Sequence, residues 1–299
     1  VTVVDLSRLP APDCVEPLDY ETILADKRAR LLAILPAEQR TAIAAALALE
    51  SDPLAKLLEL EAYAELGLRQ RVNDAARALM LAYAKRGDLD QLAAREGVIR
   101  QVIDAGDPAA IPPRAPVYEE DDRLRRRTQL AWEGLSCAGS REGYEFHALT
   151  AAVNVLDVQV ESPAPCIIDL YVVDRRGDGV PDAALLAAVQ VALSDKRVRP
   201  MGDRVTVRAA RPRAYTVSAG LRIAAGPDAA VVLAAARAAL VALLDKTRTT
   251  GATVSLAMMT AALVVEGVVD VELRAPTANI VCAPDEFPSL VAIVLDRLP

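Results

Sequence analysis

The sequence predicts an α+β protein: an N-terminal long-helix bundle segment followed by mixed α/β (hairpin-plus-helix) domains in series. Three observations predict it. Apolar residues recur every three or four positions through about the first hundred residues, the spacing of one helix face. From Leu156 onward the spacing drops to two, the mark of half-buried strands. Of 299 residues, 53% are apolar and only 3% aromatic, so the core is aliphatic and ample, and much of it is alanine, which favours close helix packing.

Residues 1–18 are proline-rich and read as an extended arm. A first helix spans about Asp19 to Leu35, with Asp19 as its cap, Glu21 in its first turn and Pro36 after its end. A second covers about Ala37 to Glu50. Ser51-Asp52-Pro53 then supplies a cap and a proline at the first helical position, opening a third helix read as running to about Arg86 and ended by Gly87. Asp88 with Gln91 resembles a capping box for a short helix that stops near Gly97. Residues 19–105 are therefore one helical segment, and the proline-rich stretch 106–118 is a linker.

A central helical segment, 119–152, holds helices at about Glu119–Ala131 and Ser140–Thr150 around a glycine-bounded loop. A first α+β unit, 153–212, follows. Leu156, Val158 and Val160 alternate with polar residues, Ser162–Pro165 turns the chain, and the nearly all-apolar run Ile167–Val173 reads as a central strand. A helix from Pro181 to Leu193 and a strand at Val205–Ala210 complete it, and Arg211-Pro212-Arg213 is a connector. In the second unit, 213–283, Tyr215, Val217, Ala219, Leu221 and Ile223 alternate with polar or small residues; helices at about Asp228–Leu244 and Thr253–Val264 precede a strand at Val269–Arg274. Residues 284–299 read as a C-terminal tail. There is no strict internal repeat.

The third helix carries the most specific signal. Leu58, Ala62, Leu66, Arg69, Val72, Ala76, Leu79 and Tyr83 share one face, with Asn73 and Met80 beside them. A helix of about thirty residues is roughly 50 Å long, longer than a lone domain needs. These ten residues are the candidate subunit interface: a seam that packs along helices of other chains. Arg69 on such a seam needs an acceptor. It either snorkels at the rim beside Glu65, or meets a partner's carboxylate and forms, with Gln70, Arg71 and Asn73, a polar register lock.

The net charge of −7 and the scarcity of aromatics disfavour nucleic acid as a partner. The basic run Arg123, Arg125, Arg126, Arg127 directly follows Glu119–Asp122, an order that suits the helix dipole. It reads first as a solvated helix face, then as a protein contact, and last as a phosphate-binding patch. Cys14, Cys137, Cys166 and Cys282 are too dispersed for a zinc site and read as reduced structural thiols. No signal peptide is expected, and the longest apolar stretch, Val231–Leu244, is too short to span a bilayer and is broken by Arg237, so no membrane is expected. His147, the single histidine, sits in Tyr144-Glu145-Phe146-His147 with no nucleophile and orienting acid placed together near it in sequence, and reads as a packed residue. The competing enzymatic reading needs His147 in a pocket beside a carboxylate. Asp174, Asp178 and Asp182 around Gly177 and Gly179 miss the spacing of a calcium loop and read as a strand-to-helix turn. No catalytic residue, cofactor or metal is expected.

The ordered blocks Leu68–Ala84, Asp88–Ala93, Asp122–Arg127, Glu133-Gly134-Leu135-Ser136, Phe146-His147-Ala148-Leu149, Val198-Arg199-Pro200, Asp203-Arg204-Val205 and Gly226-Pro227-Asp228 resemble the baseplate J-like family of contractile-tailed phages and tailocins, over about residues 19–275. The resemblance implies a structural wedge subunit of the tail baseplate, present in the virion or tailocin and assembled in the bacterial cytoplasm. It implies two copies associating with a second wedge protein of the protein I type. A shared N-terminal helical bundle is gripped by a small lysozyme-like wedge protein. The C-terminal domains pair with neighbouring wedges, closing a ring around the central hub whose rearrangement lets the sheath contract. An adaptor in a related injection or secretion-system baseplate is the alternative. The chain departs from the family pattern at Gly67 within the long helix, at Cys137 in the loop, and most over the last 25 residues.

Overall fold

The computed structural model describes residues 4–6, 9–10, 12–136, 138–226 and 228–298; Cys137 and Pro227, and part of the N-terminal arm, lie outside the described residues. The chain divides into two units, one ending at Arg95 and the other beginning at Glu96.

The first unit is helical. In α1 (Tyr20–Ile34) the Asp19 carboxylate caps the first turn, accepting from the Thr22 N–H at 2.9 Å. α2 spans Ala37–Leu47. In α3 (Pro53–Ala78) the Asp52 side chain accepts from the Leu54 N–H at 2.8 Å. Its 26 residues make it about 39 Å long, shorter than the seam suggests. Leu79 is its C-cap, and Met80–Tyr83 form a turn in which the Tyr83 and Ala84 N–H groups both donate to the Met80 carbonyl. Ala84, Leu89 and Ala93 are buried while Leu79 stays exposed, so the burial of α4 (Arg86–Arg95) outweighs continuation of a straight helix. Gly87 lies inside α4 rather than ending α3, because Arg86 before it takes the left-handed turn at φ 50.

α1 and α3 pack through Ile23, Leu24 and Ala62, with Tyr20, Leu58 and Leu66 at the margin. Lys27 Nζ crosses to Glu65 Oε2 at 2.9 Å. The N-terminal arm is pinned to α3 by one amide: the Asn73 Oδ1 accepts from the Glu16 N–H at 3.0 Å and its Nδ2 donates to the Glu16 carbonyl at 2.8 Å.

The second unit opens with a hairpin where the sequence suggested a plain linker. β1 (Val102–Asp104) pairs antiparallel with β2 (Val117–Tyr118), and Asp107 bridges to Arg114. The Asp104 and Asp107 side chains accept from the Gly106 and Ala109 N–H groups and hold the turns. Gly106 is at φ +69, and a Cβ there would fall 2.4 Å from the Arg114 carbonyl oxygen.

α5 (Asp121–Gly134) and α6 (Arg141–Ala151) do not form a separate helical segment. Leu130, Tyr144, Ala148 and Leu149 share one core with Val158, Val160, Leu170 and Val172 of the first sheet and Leu185, Val189 and Leu193 of α7 (Ala183–Leu193). In that sheet β3 (Val155–Ala164) runs antiparallel to β4 (Ile167–Asp174), and β5 (Arg204–Ala209) lies parallel to β4 after the α7 crossover. β4 is central and its inward residues are buried, in keeping with its nearly continuous apolar run.

In the last domain β6 (Arg211–Ile223) is the middle strand, so Arg211-Pro212-Arg213 is strand and not connector. The long α8 (Ala229–Lys246), the short β7 (Thr253–Val254) and α9 (Leu256–Leu263) lead to β8 (Val268–Ala275), antiparallel to β6, and β9 (Ile280–Val281) pairs with β7. Residues 286–297 are no tail: β10 (Glu286–Arg297) pairs in parallel with β6 from Arg211 to Leu221. Phe287 is fully buried against Val173 and Ala210, which anchors its start.

Two outcomes follow. Glu65, held below the usual carboxylate range by hydrogen bonds from Lys27 and then Arg69, stabilises the fold above its ordinary pKa of about 4.3 and ceases to as pH falls through its lower folded value. Glu65→Gln therefore lowers the melting midpoint of the helical unit at pH 7, and in thermal melts at progressively lower pH wild type and variant converge as the carboxylate protonates. In Gly134→Ala the new Cβ would lie 2.2 Å from Phe146 Cδ1. Urea melts of this variant show a loss of about 1–3 kcal/mol, the usual scale of overpacking.

Candidate assembly surface

α3 has two apolar faces: the inner one packs on α1, and the outer one is exposed among the described residues. The seam through Leu58, Ala62 and Leu66 faces α1, and Ala62 is 0% exposed. Asn73 is buried at the arm, so it locks the chain's own residue 16 rather than the register of a partner helix. Arg69 is exposed and finds acceptors within its own unit: its Nη2 lies 2.7 Å from Glu65 Oε1, and its Nη1 lies 3.4 Å from Glu16 Oε2. Ala76 is half-buried, and Met80 and Tyr83, also half-buried, stand in the turn beyond the helix. Of the ten seam residues, Ala62 and Asn73 are buried within the helical unit, and Leu58 and Leu66 are partly buried against α1.

The second face runs through Leu57, Leu60, Ala64, Leu68, Val72 and Ala75 in steps of three and four, which places them along one line of the helix. Leu57 is 53% exposed, Leu60 68%, Leu68 70% and Val72 65%, and Leu79 at the C-cap continues the line at 70%. Scattered surface leucines are ordinary, whereas these five large aliphatic side chains form one continuous exposed row. The same three-and-four spacing that revealed the seam was present here. Val72 and Leu79 belong to this outer row, while Leu58 and Leu66 belong to the inner one.

The basic run of α5 is not a solvated face. Glu119, buried, receives Arg123 Nη1 at 2.8 Å on one oxygen and Arg127 Nη1 at 2.7 Å on the other. Arg123 Nη2 donates to the Leu149 and Ala152 carbonyls, and the Gln101 N–H donates to Glu119. Burial, set against the pull of Glu119, brings Arg123 down to about 10, and Arg175 and Arg127 push it the same way as burial. Arg126 crosses to Glu145 at 2.7 Å and Asp157 at 2.8 Å. Asp157 also accepts from the Thr250 N–H and hydroxyl, tying β3 to the chain after α8. The run is a framework of ion pairs joining α5 to the segment just before β1, to α6 and to β3.

The remaining candidates are equally structural. His147 Nε2 lies 3.1 Å from the Gly134 carbonyl oxygen and its ring meets Phe146 edge-on, so it joins α6 to the end of α5. Burial lowers its pKa. Asp174 and Asp182 are bracketed by the Arg176 guanidinium at 2.7 and 3.0 Å, and Asp182 caps α7 through the Leu185 N–H. No grouping of three metal-ligating side chains occurs among the described residues, and no described helix is long and apolar enough to cross a membrane. Tyr144 donates to Asp203 Oδ2 at 2.7 Å, so the Asp203-Arg204-Val205 block braces the central core.

Comparison with known proteins gives these surfaces a context. The baseplate J-like N-terminal domain matches residues 50–107, the baseplate J-like central domain residues 136–209, and the baseplate J-like protein C-terminal domain residues 215–296. Baseplate protein J of Escherichia phage P2 is 46% identical over 279 residues, covering 93% of this chain and 92% of that protein. Among solved structures, a cryo-EM structure of the anti-feeding prophage baseplate aligns with a TM-score of 0.41 at 15% identity, over 60% of this chain and 44% of the other. With three domain matches in order and a relative alike from end to end, the chain belongs to the baseplate J-like family.

Proposed function

We propose that this chain is a structural wedge component of a contractile-tail baseplate and that it enters the assembly through the outer face of α3. The full-length likeness to a phage baseplate protein supports the role. The observation that carries the interface is the uncovered row Leu57, Leu60, Leu68, Val72 and Leu79. A second copy of the chain and a second wedge protein of the protein I type lay apolar helices along this row, and the small lysozyme-like wedge protein grips the resulting bundle. The inner face stays with α1 and keeps the unit folded before assembly.

The domains that follow pair with neighbouring wedges and close a ring around the hub, and rearrangement of that ring on firing releases the sheath. The tightly tied framework of α5, α6 and β3 suits a part that transmits force rather than one that turns over a substrate. His147, engaged with a backbone carbonyl and an aromatic edge, is a structural residue in this reading.

Leu60→Asp with Leu68→Asp tests the interface, because both residues are exposed and the variant keeps its fold. Each buried leucine is worth roughly 1.5–3 kcal/mol, so the pair costs well over a hundredfold in affinity. Co-purification with the second wedge protein is lost while circular dichroism of the variant matches wild type. A wild-type yield of complex from the double variant contradicts the proposal. Leu66→Asp, on the inner face, instead lowers the melting midpoint of the helical unit.

A further inference from the structure

Beside the start of α5 a cleft of about 530 Å³ opens between that helix and the end of α8, within the second unit. Its volume lies in the range of small-molecule sites. Five cations line it: Arg123, Arg126, Arg175, Lys246 and Arg248. The carboxylates on its wall are Glu120, Asp122 and Asp245. Several of these charges are already used. Arg126 is neutralised by Glu145 and Asp157, and Asp122 by Arg125 at 2.6 Å.

The others are not. Glu119 is a single carboxylate shared by two guanidinium groups, those of Arg123 and Arg127. Arg248 Nη2 donates to the Asp174 and Arg175 carbonyls, which orient it without cancelling its charge. Arg175 has no hydrogen-bond or ion-pair partner for its side chain among the described residues, and its buried Nε has no acceptor. The Nε atoms of Arg248 and of Arg123, a residue only 8% exposed, are likewise buried without an acceptor. Three of the four buried side-chain polar atoms without a partner among the described residues thus belong to arginines on the wall of this one cleft.

A buried guanidinium N–H without an acceptor costs free energy, and a guanidinium fork matches the oxygens of a phosphate or carboxylate group. We propose that this cleft is a binding site for a phosphate group, held by Arg175 and Arg248 with Arg123 behind them and Lys246 at the rim. The cleft exceeds the size of the bare ion, so the phosphate is either free or carried on a small molecule such as a nucleoside monophosphate. Binding there bridges α5 to the segments after β4 and α8, and so stiffens the joint between the two sheet domains.

Thermal melts and calorimetric titration of the full chain test this, with sodium phosphate in one arm, adenosine monophosphate in the other, and sodium chloride at matched ionic strength as reference. Phosphate raises the melting midpoint saturably beyond chloride. Tighter binding of the monophosphate identifies a carried phosphate, and equal or weaker binding a free one. Arg175→Gln weakens binding by about tenfold or more, the scale of one charge-assisted hydrogen bond, Lys246→Gln weakens it less, and Arg222→Gln, an exposed arginine on β6, leaves it unchanged. Chloride acting as well as both phosphate ligands, or Arg175→Gln and Lys246→Gln both binding like wild type, overturns the proposal.

Discussion

The packing of α1 on α3 decides what the N-terminal unit can offer to anything else. A helix of 26 residues has enough apolar positions for two stripes, and α1 is long enough to cover one. Ile23, Leu24 and Ala62 make that contact, and the Lys27–Glu65 pair and the Asn73 clamp on Glu16 fix its register. The polar groups that would have discouraged a wrong neighbour, Arg69 and Asn73, are therefore occupied within the chain. What faces outward is plain aliphatic surface, suited to a partner whose own helices bring matching leucines.

The second unit is held by a different economy of forces. Its two sheets each have their own aliphatic core, but charged groups link the pieces around them. Glu119 with Arg123 and Arg127 joins the hairpin to α5 and α6. Asp157 joins β3 both to Arg126 and to Thr250. Buried ion pairs of this kind contribute little net stability against apolar replacements, yet removing one partner strands the other and is costly. Such a network resists small relative movements of the domains it joins. Arg175 and Arg248, beside the network, are the cations it leaves without a carboxylate.

Much of this was legible in the sequence, and the failures have physical causes. The caps Asp19 and Asp52, the alternating strands β3 and β6, and the central place of β4 followed from local chemistry and period. The end of α3 did not, because no glycine or proline marks Leu79–Ala84, and the stop comes from burial of Ala84, Leu89 and Ala93. β10 reads as a tail from local pattern alone because its partner β6 lies some seventy residues earlier; its apolar run from Leu290 to Leu295 is the available signal. The acid-then-base run of α5 looked solvated because its acceptors, the Leu149 and Ala152 carbonyls and the Gln101 amide, are remote in sequence. The choice of which α3 stripe to expose was also out of reach, since both stripes have helical spacing and only α1 tells them apart.

The most direct measurement is the rate at which a thiol-reactive label modifies Leu68→Cys, read by peptide mass so that the native exposed cysteines are distinguished. In the isolated chain, where position 68 is 70% exposed, labelling is fast. In the assembled tail it is strongly slowed, while labelling at Met201→Cys, exposed on the second unit, serves as the reference for access to the particle. Equal labelling at Leu68→Cys in the free and assembled states contradicts the claim that the outer face of α3 is the surface through which this protein is built into the baseplate.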